Sequence, residues 1–283
     1  MRLATLTDGS STVIAVWSKD GWLDTGRTGS TEFIEILIGG RALADEYTSG
    51  GRLLPASFKP TLPFRPARNV MCLGKNYVEH AAEFAAFNND VDVVPKAPIV
   101  FTKAATSLCG ATDEIQVDSA LSHALDYETE LAVVIGKAGR SISAEKANDH
   151  IAGYSVINDI TARDLQSKHA QWFLAKSLPA ASPLGPVVVT PDEIAPRDER
   201  ALSTWVNGEL RQHALLSEMI TGIEQAIETI SSVVSLEVGD LIAMGTPSGV
   251  AVSFDPPKYL LNGDLVISEI DGIGRLENRI SIS

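Results

Sequence analysis

Three carboxylates stand at alternate positions in LDYETELAVVIG, where Asp126, Glu128 and Glu130 are separated by Tyr127 and Thr129 and run directly into an apolar stretch. Successive side chains of an extended chain point to opposite faces, so a strand here puts all three acids on one face. Like charges at that spacing destabilise a sheet unless water or a cation compensates them. The segment therefore reads either as a solvated strand edge or as part of a cation site. A further acid, Asp159 in VINDITARDLQ, ends the apolar run HIAGYSVI at an expected strand terminus. Oxygen ligands from two glutamates and an aspartate suit a hard cation, Mg²⁺ or Mn²⁺, with positions left for water and substrate oxygens. Zinc is disfavoured, because it prefers His and Cys, and Cys72 and Cys109 lack metal-ligand spacing.

Other residue types invite weaker readings. His80 and Glu83 in GKNYVEHAAE are three residues apart and share a helical face. A histidine oriented by a carboxylate can act as a general base near neutral pH, although a helix-surface contact is the commoner meaning of such a pair. Lys176 in WFLAKSLP lies among apolar and small residues, where a lysine snorkelling at the surface is the ordinary expectation. Thr246 sits in GTPSGV, whose glycines and proline are explained by turn chemistry alone.

The elements that must position these groups are mostly strands. NVMCLG, APIVFTKA, ETELAVVIG, HIAGYSVIND, GPVVVT, TWVNGELR, DLIAMG and DLVISEI carry β-branched or apolar runs. Helical spacing is expected in NYVEHAAEFAAF, SAEKANDH and SEMITGIEQAIETISSVV. Strands and helices do not alternate regularly, which argues for a β-rich core with a few covering helices and against a doubly wound sheet. TVIAVWS and TEFIEILIG suggest strands or a short helix in a small N-terminal unit, residues 1–64 with the connector PASFKPTLPFRPARN, and the catalytic domain then occupies 65–283. FNNDVDVVPKAP, residues 87–98 overlapping the 84–97 region after the His–Glu pair, reads as a mobile lid or an ordinary surface loop.

Composition closes off several partners. The 283 residues carry a formal net charge of -13, and no basic stripe offsets it, so nucleic acid is an improbable ligand. No apolar run reaches membrane-spanning length and the start lacks signal-peptide features, so a cytoplasmic home is expected without a membrane partner. GKNY, GTPSGV and NGD match neither phosphate-binding glycine pattern.

Taken in order, GKNYVEHAAE, LDYETELAVVIG, GYSVINDITARDLQ, AKSLPAASPLGP, VNGELRQ and GDLIAMGTPSGV resemble the fumarylacetoacetate hydrolase family, from about Asn69 to the C-terminus. The resemblance implies a mixed, β-rich α+β fold with a β-roll catalytic core, a homodimer, and a Mg²⁺ or Mn²⁺ site with Glu128, Glu130 and Asp159 as ligands. Asp126 is then a structural neighbour. It further implies that His80 and Glu83 activate water as a lid folds over the substrate, and that Lys176 stabilises an enolate or acyl oxyanion. By the same resemblance Arg163 and Gln166 help hold a substrate carboxylate, and Thr246 contacts the substrate. One departure stands out: Leu178-Pro179-Ala180-Ala181 replaces the aromatic residue and acid that many hydrolytic members carry after the lysine-serine pair.

The substrate class implied is a small 2-oxo acid. The leading expectation is hydrolytic carbon-carbon cleavage of an acylpyruvate-type 2,4-dioxo acid, for example a fumarylpyruvate-like one. Oxaloacetate-type decarboxylation, isomerisation or tautomerisation, and dehydration of a 3-deoxy-2-oxo acid are the alternatives on the same scaffold. A non-catalytic metal-bound 2-oxo acid sensor explains less, since binding alone requires neither a positioned His–Glu pair nor Lys176.

Overall fold

The computed structural model describes residues 1–88, 94–194 and 199–283, the side chains of 84–88 excepted. The centre of the expected lid lies outside the described residues.

The strand Thr129–Ile135 shows how the fold is built. Its sequence is apolar at both parities, and such a strand must be covered on both faces. Leu131, Val133 and Ile135 enter one core with Tyr154, Leu202 and Ile270. Ala132 and Val134 enter a second core with Phe33, Ile36 and Val188. The strand pairs antiparallel with Ile151–Asn158 on one side and Leu241–Ala243 on the other. Among the described residues eleven strands contribute to this mixed sheet. Leu241–Ala243 continues in parallel to Val70–Gly74, which pairs antiparallel with the Ile99–Lys103 strand.

A second sheet, five-stranded among the described residues, faces the first across the Leu131 core. Its Ala201–Val206 and Glu209–Leu215 strands form a hairpin turned by Asn207-Gly208, both at positive φ (51° and 84°), the conformation that favours Asn-Gly in tight hairpins. The helix Ile223–Val233 closes the same core through Ile223, Ile227 and Ile230. The β-rich mixed architecture read from the sequence is the one the chain adopts.

The first sixty residues are tied into the main sheet. Arg2–Thr7 pairs with Ser182–Val189, and Thr12–Ser18 and Gly21–Asp24 extend the sheet beyond it. TEFIEILIG belongs to the helix Ser30–Tyr47, whose Phe33, Ile36 and Leu37 cover the second core. In the proline connector Lys59–Pro60 pairs with Arg2–Thr7, where a residue without an N–H is tolerated at the margin of a sheet.

Two expected helices are shorter or tighter than their patterns suggested. SAEKANDH forms a 3₁₀ helix, Ala144–His150. SEMITGIEQAIETISSVV is α-helical only from Ile223, after a 3₁₀ turn Leu216–Glu218, because the backbone between them bonds elsewhere: Thr221 N–H donates to the Asn76 side-chain oxygen (2.7 Å) and Ile220 N–H to the Asn76 carbonyl (2.7 Å). Among the described residues no helix is long and apolar enough to cross a membrane.

Candidate active site

Glu130 opens the Thr129–Ile135 strand, on the face it shares with Ala132 and Val134. Glu128 precedes it, held by a hydrogen bond from its N–H to Asn158 Oδ1 (3.0 Å). Its carbonyl accepts the N–H of Asp159 (2.7 Å), which brings the end of the neighbouring strand alongside. Glu128, Glu130 and Asp159 consequently converge, one oxygen from each lying within 4.8 Å of the others, and all three are buried. That burial removes the solvated-edge reading of the acidic segment.

Asp126 has a different environment. It pairs with Thr161 in a separate two-stranded ladder, apart from the strand that carries Glu130. Its carboxylate accepts the Nε of Arg163 (2.8 Å) and the backbone N–H groups of Tyr127 (2.8 Å), Ala251 (2.7 Å) and Val252 (3.1 Å). Asp126 thereby anchors Arg163 and the turn after GTPSGV.

Lys176 reaches the cluster from the segment after the short helix Arg163–Lys168, donating to Glu128 Oε2 (2.5 Å) and Asp159 Oδ2 (2.7 Å). It is buried, so the snorkelling alternative does not describe it. Arg163 donates to Asp126, to Glu128 (2.7 Å) and to the side-chain oxygen of Gln166 (2.9 Å). Three of its five N–H groups are thus committed to protein acceptors. His80 lines the same cleft from the helix Val78–Asn88, its Nδ1 3.7 Å from Glu83 Oε2. Glu83 in turn accepts the N–H of Gly249 (3.0 Å), which ties that helix to the GTPSGV turn. Thr246 lies on the cleft wall next to Gly245, whose N–H donates to Glu130 Oε2 (2.8 Å). Gly245 adopts φ 86°, and a Cβ there would lie 2.8 Å from the Asn76 side chain, so glycine is required at this approach.

The electrostatics single out Glu130. Burial alone would raise the Glu128 carboxyl, but the Lys176 ammonium and the Arg163 guanidinium outweigh it and hold the group at about 2. Burial, reinforced by the Asp159 and Glu128 carboxylates, pushes Glu130 well above the ordinary carboxylate range. Four buried carboxylates, Asp126, Glu128, Glu130 and Asp159, face the buried cationic side chains of Lys103, Lys176 and Arg163. Glu130 is the carboxylate left without a directly bonded cation. An oxygen-only donor set whose third carboxyl is held back from ionising by burial and by its neighbours fits a hard divalent ion, which would relieve that repulsion.

Two contributors carried no role in the sequence reading. Lys103, fully buried at the end of the Ile99–Lys103 strand, donates to Asp159 and to Ser182. Its signal was slight, a lone lysine ending an apolar run. Gln212, part of VNGELRQ, is 1% exposed and donates to Thr246. The departure at 178–181 also acquires a location: Leu178 and Ala181 pack with Tyr127 and Ile160 in a third core, away from the cleft lining. Phe101 and Trp172, edge to face with ring centroids 5.1 Å apart, form an apolar wall of the cleft.

The chain resembles several known proteins. Residues 69–281 match the family model for the fumarylacetoacetate (FAA) hydrolase C-terminal domain. Oxaloacetate tautomerase YisK of Bacillus subtilis (strain 168) is 48% identical over 216 residues, 76% of this chain and 70% of that protein. The solved fumarylacetoacetate hydrolase from psychrophilic Exiguobacterium antarcticum is 35% identical with a TM-score of 0.82, covering 100% of both chains. The 2-hydroxyhepta-2,4-diene-1,7-dioate isomerase from Mycobacterium marinum is 30% identical with a TM-score of 0.75, covering 100% of this chain and 99% of its own.

Proposed function

The chain belongs to the fumarylacetoacetate hydrolase family, and on that premise we propose that it is a divalent-metal-dependent enzyme interconverting the keto and enol forms of a small 2-oxo acid such as oxaloacetate. The observation that carries this reading is the buried convergence of Glu128, Glu130 and Asp159 beside Lys176. The similarity to a tautomerase directs the choice of reaction.

Glu128, Glu130 and Asp159 would hold Mg²⁺ or Mn²⁺. Bound there, the ion supplies Lewis-acid polarisation of the substrate's carboxylate and 2-oxo oxygens. The protein's own groups handle the proton. The imidazole of His80, with the Glu83 carboxylate 3.7 Å from its Nδ1, removes a proton from C3; the C–H electron pair forms the C2–C3 double bond and negative charge moves to the C2 oxygen. Lys176 stabilises that charge, and solvent protonates the oxygen to complete the enol while the His80 imidazolium returns its proton to solvent, so no net proton is gained or lost. Gln166 offers its amide N–H groups to the substrate carboxylate, while Arg163 fixes the amide's orientation.

Hydrolytic cleavage of an acylpyruvate is the second reading, favoured by the same His80–Glu83 pair, which is equally placed to activate water. A homodimer also belongs to this proposal by family resemblance, and sedimentation at micromolar concentration would show twice the mass of one chain.

One substrate panel separates the readings. Oxaloacetate is followed by ultraviolet absorbance of its enol and by pyruvate release, and an acylpyruvate by pyruvate release, each with Mg²⁺ or chelator and with protein-free controls. Metal-dependent keto–enol equilibration without pyruvate is expected. Pyruvate from the acylpyruvate would put hydrolysis first, pyruvate from oxaloacetate would make the enzyme a decarboxylase, and activity indifferent to chelator would remove the metal.

A further inference from the structure

Thr246 is bonded in a way that fixes which hydrogen-bonding role its hydroxyl presents to the cleft. Its hydroxyl donates to the backbone carbonyl of Thr129 (3.0 Å) and accepts from Gln212 Nε2 (2.8 Å). The orientation of the Gln212 amide is settled by two backbone groups whose roles are not interchangeable. Its Oε1 accepts the Thr129 N–H (3.3 Å), which can only donate, and its Nε2 donates to the Pro247 carbonyl (2.8 Å), which can only accept. A further bond from Thr204 Oγ1 to Gln212 Oε1 (2.7 Å) agrees. Gln212 and Thr246 are 1% and 2% exposed, so water does not compete for these bonds.

A hydroxyl has one proton and two lone pairs. The Thr246 proton is committed to Thr129 and one lone pair to Gln212, which leaves a single acceptor lone pair. Gln166 has the opposite polarity: its oxygen accepts from Arg163 (2.9 Å), and its amide nitrogen, with no partner among the described residues, is the donor that remains. The cleft therefore has a donor on the Gln166 wall and an acceptor on the Thr246 wall beside Glu130.

We propose that Gln212 is a positioning residue that, together with the Thr129 carbonyl that takes the hydroxyl proton, holds Thr246 as a hydrogen-bond acceptor, so that this wall selects a ligand carrying a hydroxyl at C2, namely the enol form of a 2-oxo acid, over its keto form. This rests on the reading that the cleft binds a 2-oxo acid through a divalent ion. A keto oxygen is itself an acceptor and gains nothing from Thr246. An enol hydroxyl donates to it while its carboxylate takes up the Gln166 amide.

Pyruvate and racemic lactate test the polarity without turnover, since both are three-carbon monoanions and differ in whether the C2 oxygen carries a proton. Their affinities for the Mg²⁺-loaded full chain are measured by calorimetry on the wild type, Thr246→Val, Thr246→Ser and Gln212→Met. Removing the acceptor in Thr246→Val should weaken lactate roughly five- to tenfold while leaving pyruvate within about twofold, the effect of one hydrogen bond. Thr246→Ser should keep the wild-type ratio. In Gln212→Met the Thr246 oxygen loses one of the two bonds that hold it in place while its proton keeps the Thr129 acceptor, so lactate should weaken relative to pyruvate in the same direction as in Thr246→Val. Where valine disturbs folding, Thr246→Ala removes the same oxygen with less bulk and gives the same ratio. Equal weakening of both ligands, or no change in either, overturns the assignment and leaves the metal site standing. Wild-type protein that binds neither ligand with Mg²⁺ removes the proposed function itself, and this inference with it.

Discussion

Lys103 and Asp159, 56 residues apart and each fully buried, form an ion pair at the base of the cleft, so that the candidate metal ligand from one strand end is held by the terminal lysine of another. The same ammonium donates to Ser182, on the strand next to the one that leads into Asp159. Removing the lysine leaves buried Asp159 with Lys176 as its remaining ammonium partner. Lys103→Met should therefore destabilise the metal-free protein by about 1.5 to 3 kcal/mol, the range for one hydrogen bond to a charged group, read from urea unfolding. Excess Mg²⁺ should restore part of the loss, because an ion bound to the folded state adds to its stability. Unfolding curves that coincide with wild type would show that the pair contributes nothing.

Glu130→Gln separates metal binding from folding by giving them opposite signs. Glutamine keeps an oxygen for the Gly245 N–H and removes a buried carboxylate that lacks a directly bonded cation. The metal-free variant should be as stable as wild type or more so. Its Mg²⁺ affinity should fall by about a hundredfold or more, since even loss of an outer-sphere partner commonly costs ten- to a hundredfold. Calorimetric titration that finds wild-type affinity would take Glu130 out of the ligand set.

What the sequence discloses about this site follows the range of the interactions involved. Glu128, Glu130 and Asp159 are legible because hard-cation chemistry and strand geometry both act locally. Asp126 has the same spacing but belongs to another ladder, since the chain leaves the strand at Tyr127 and Glu128 to meet Asn158 and Asp159. Lys103 and Gln212 look like ordinary strand residues until distant elements bury them. The N-terminal strand TVIAVWS was readable, yet the sheet it extends was not, because the pairing of Arg2–Thr7 with Ser182–Val189 is set by a shared core and by nothing local.

Asp164 gives the segment that carries Arg163 a pH dependence. Burial would raise its carboxyl, but the N–H of His123 (2.9 Å), the hydroxyl of Ser122 (2.8 Å) and the N–H of Leu165 (2.8 Å) together lower it below its ordinary value. A carboxyl depressed in the folded state contributes stability above its unfolded pKa of about 3.9 and loses it as pH falls through the folded value. Asp164→Asn should be less stable than wild type at pH 5, and the two should converge as pH falls below the unfolded value. A constant difference across that range, measured by urea unfolding, would mean that the ionised carboxylate is not what holds Ser122 and His123.

His80 decides whether the reaction depends on a protein base or on the metal site alone. It is 5% exposed, on a helix tied to the GTPSGV turn through Glu83 and Gly249, and stands outside the carboxylate set Glu128, Glu130 and Asp159. His80→Ala should therefore leave Mg²⁺ affinity near wild type. Loss of a general base typically costs on the order of 10² to 10⁴ in rate, and keto–enol equilibration of oxaloacetate should fall by that amount. Exchange of the C3 protons with deuterated solvent, followed by NMR, tests the same step without relying on absorbance. If exchange and equilibration fall together while metal affinity holds, the imidazole is the base at C3. If exchange persists while acylpyruvate cleavage is lost, His80 acts on water, and hydrolysis is the better account of the enzyme. Unchanged rates in both assays would leave the chemistry to the metal site and Lys176.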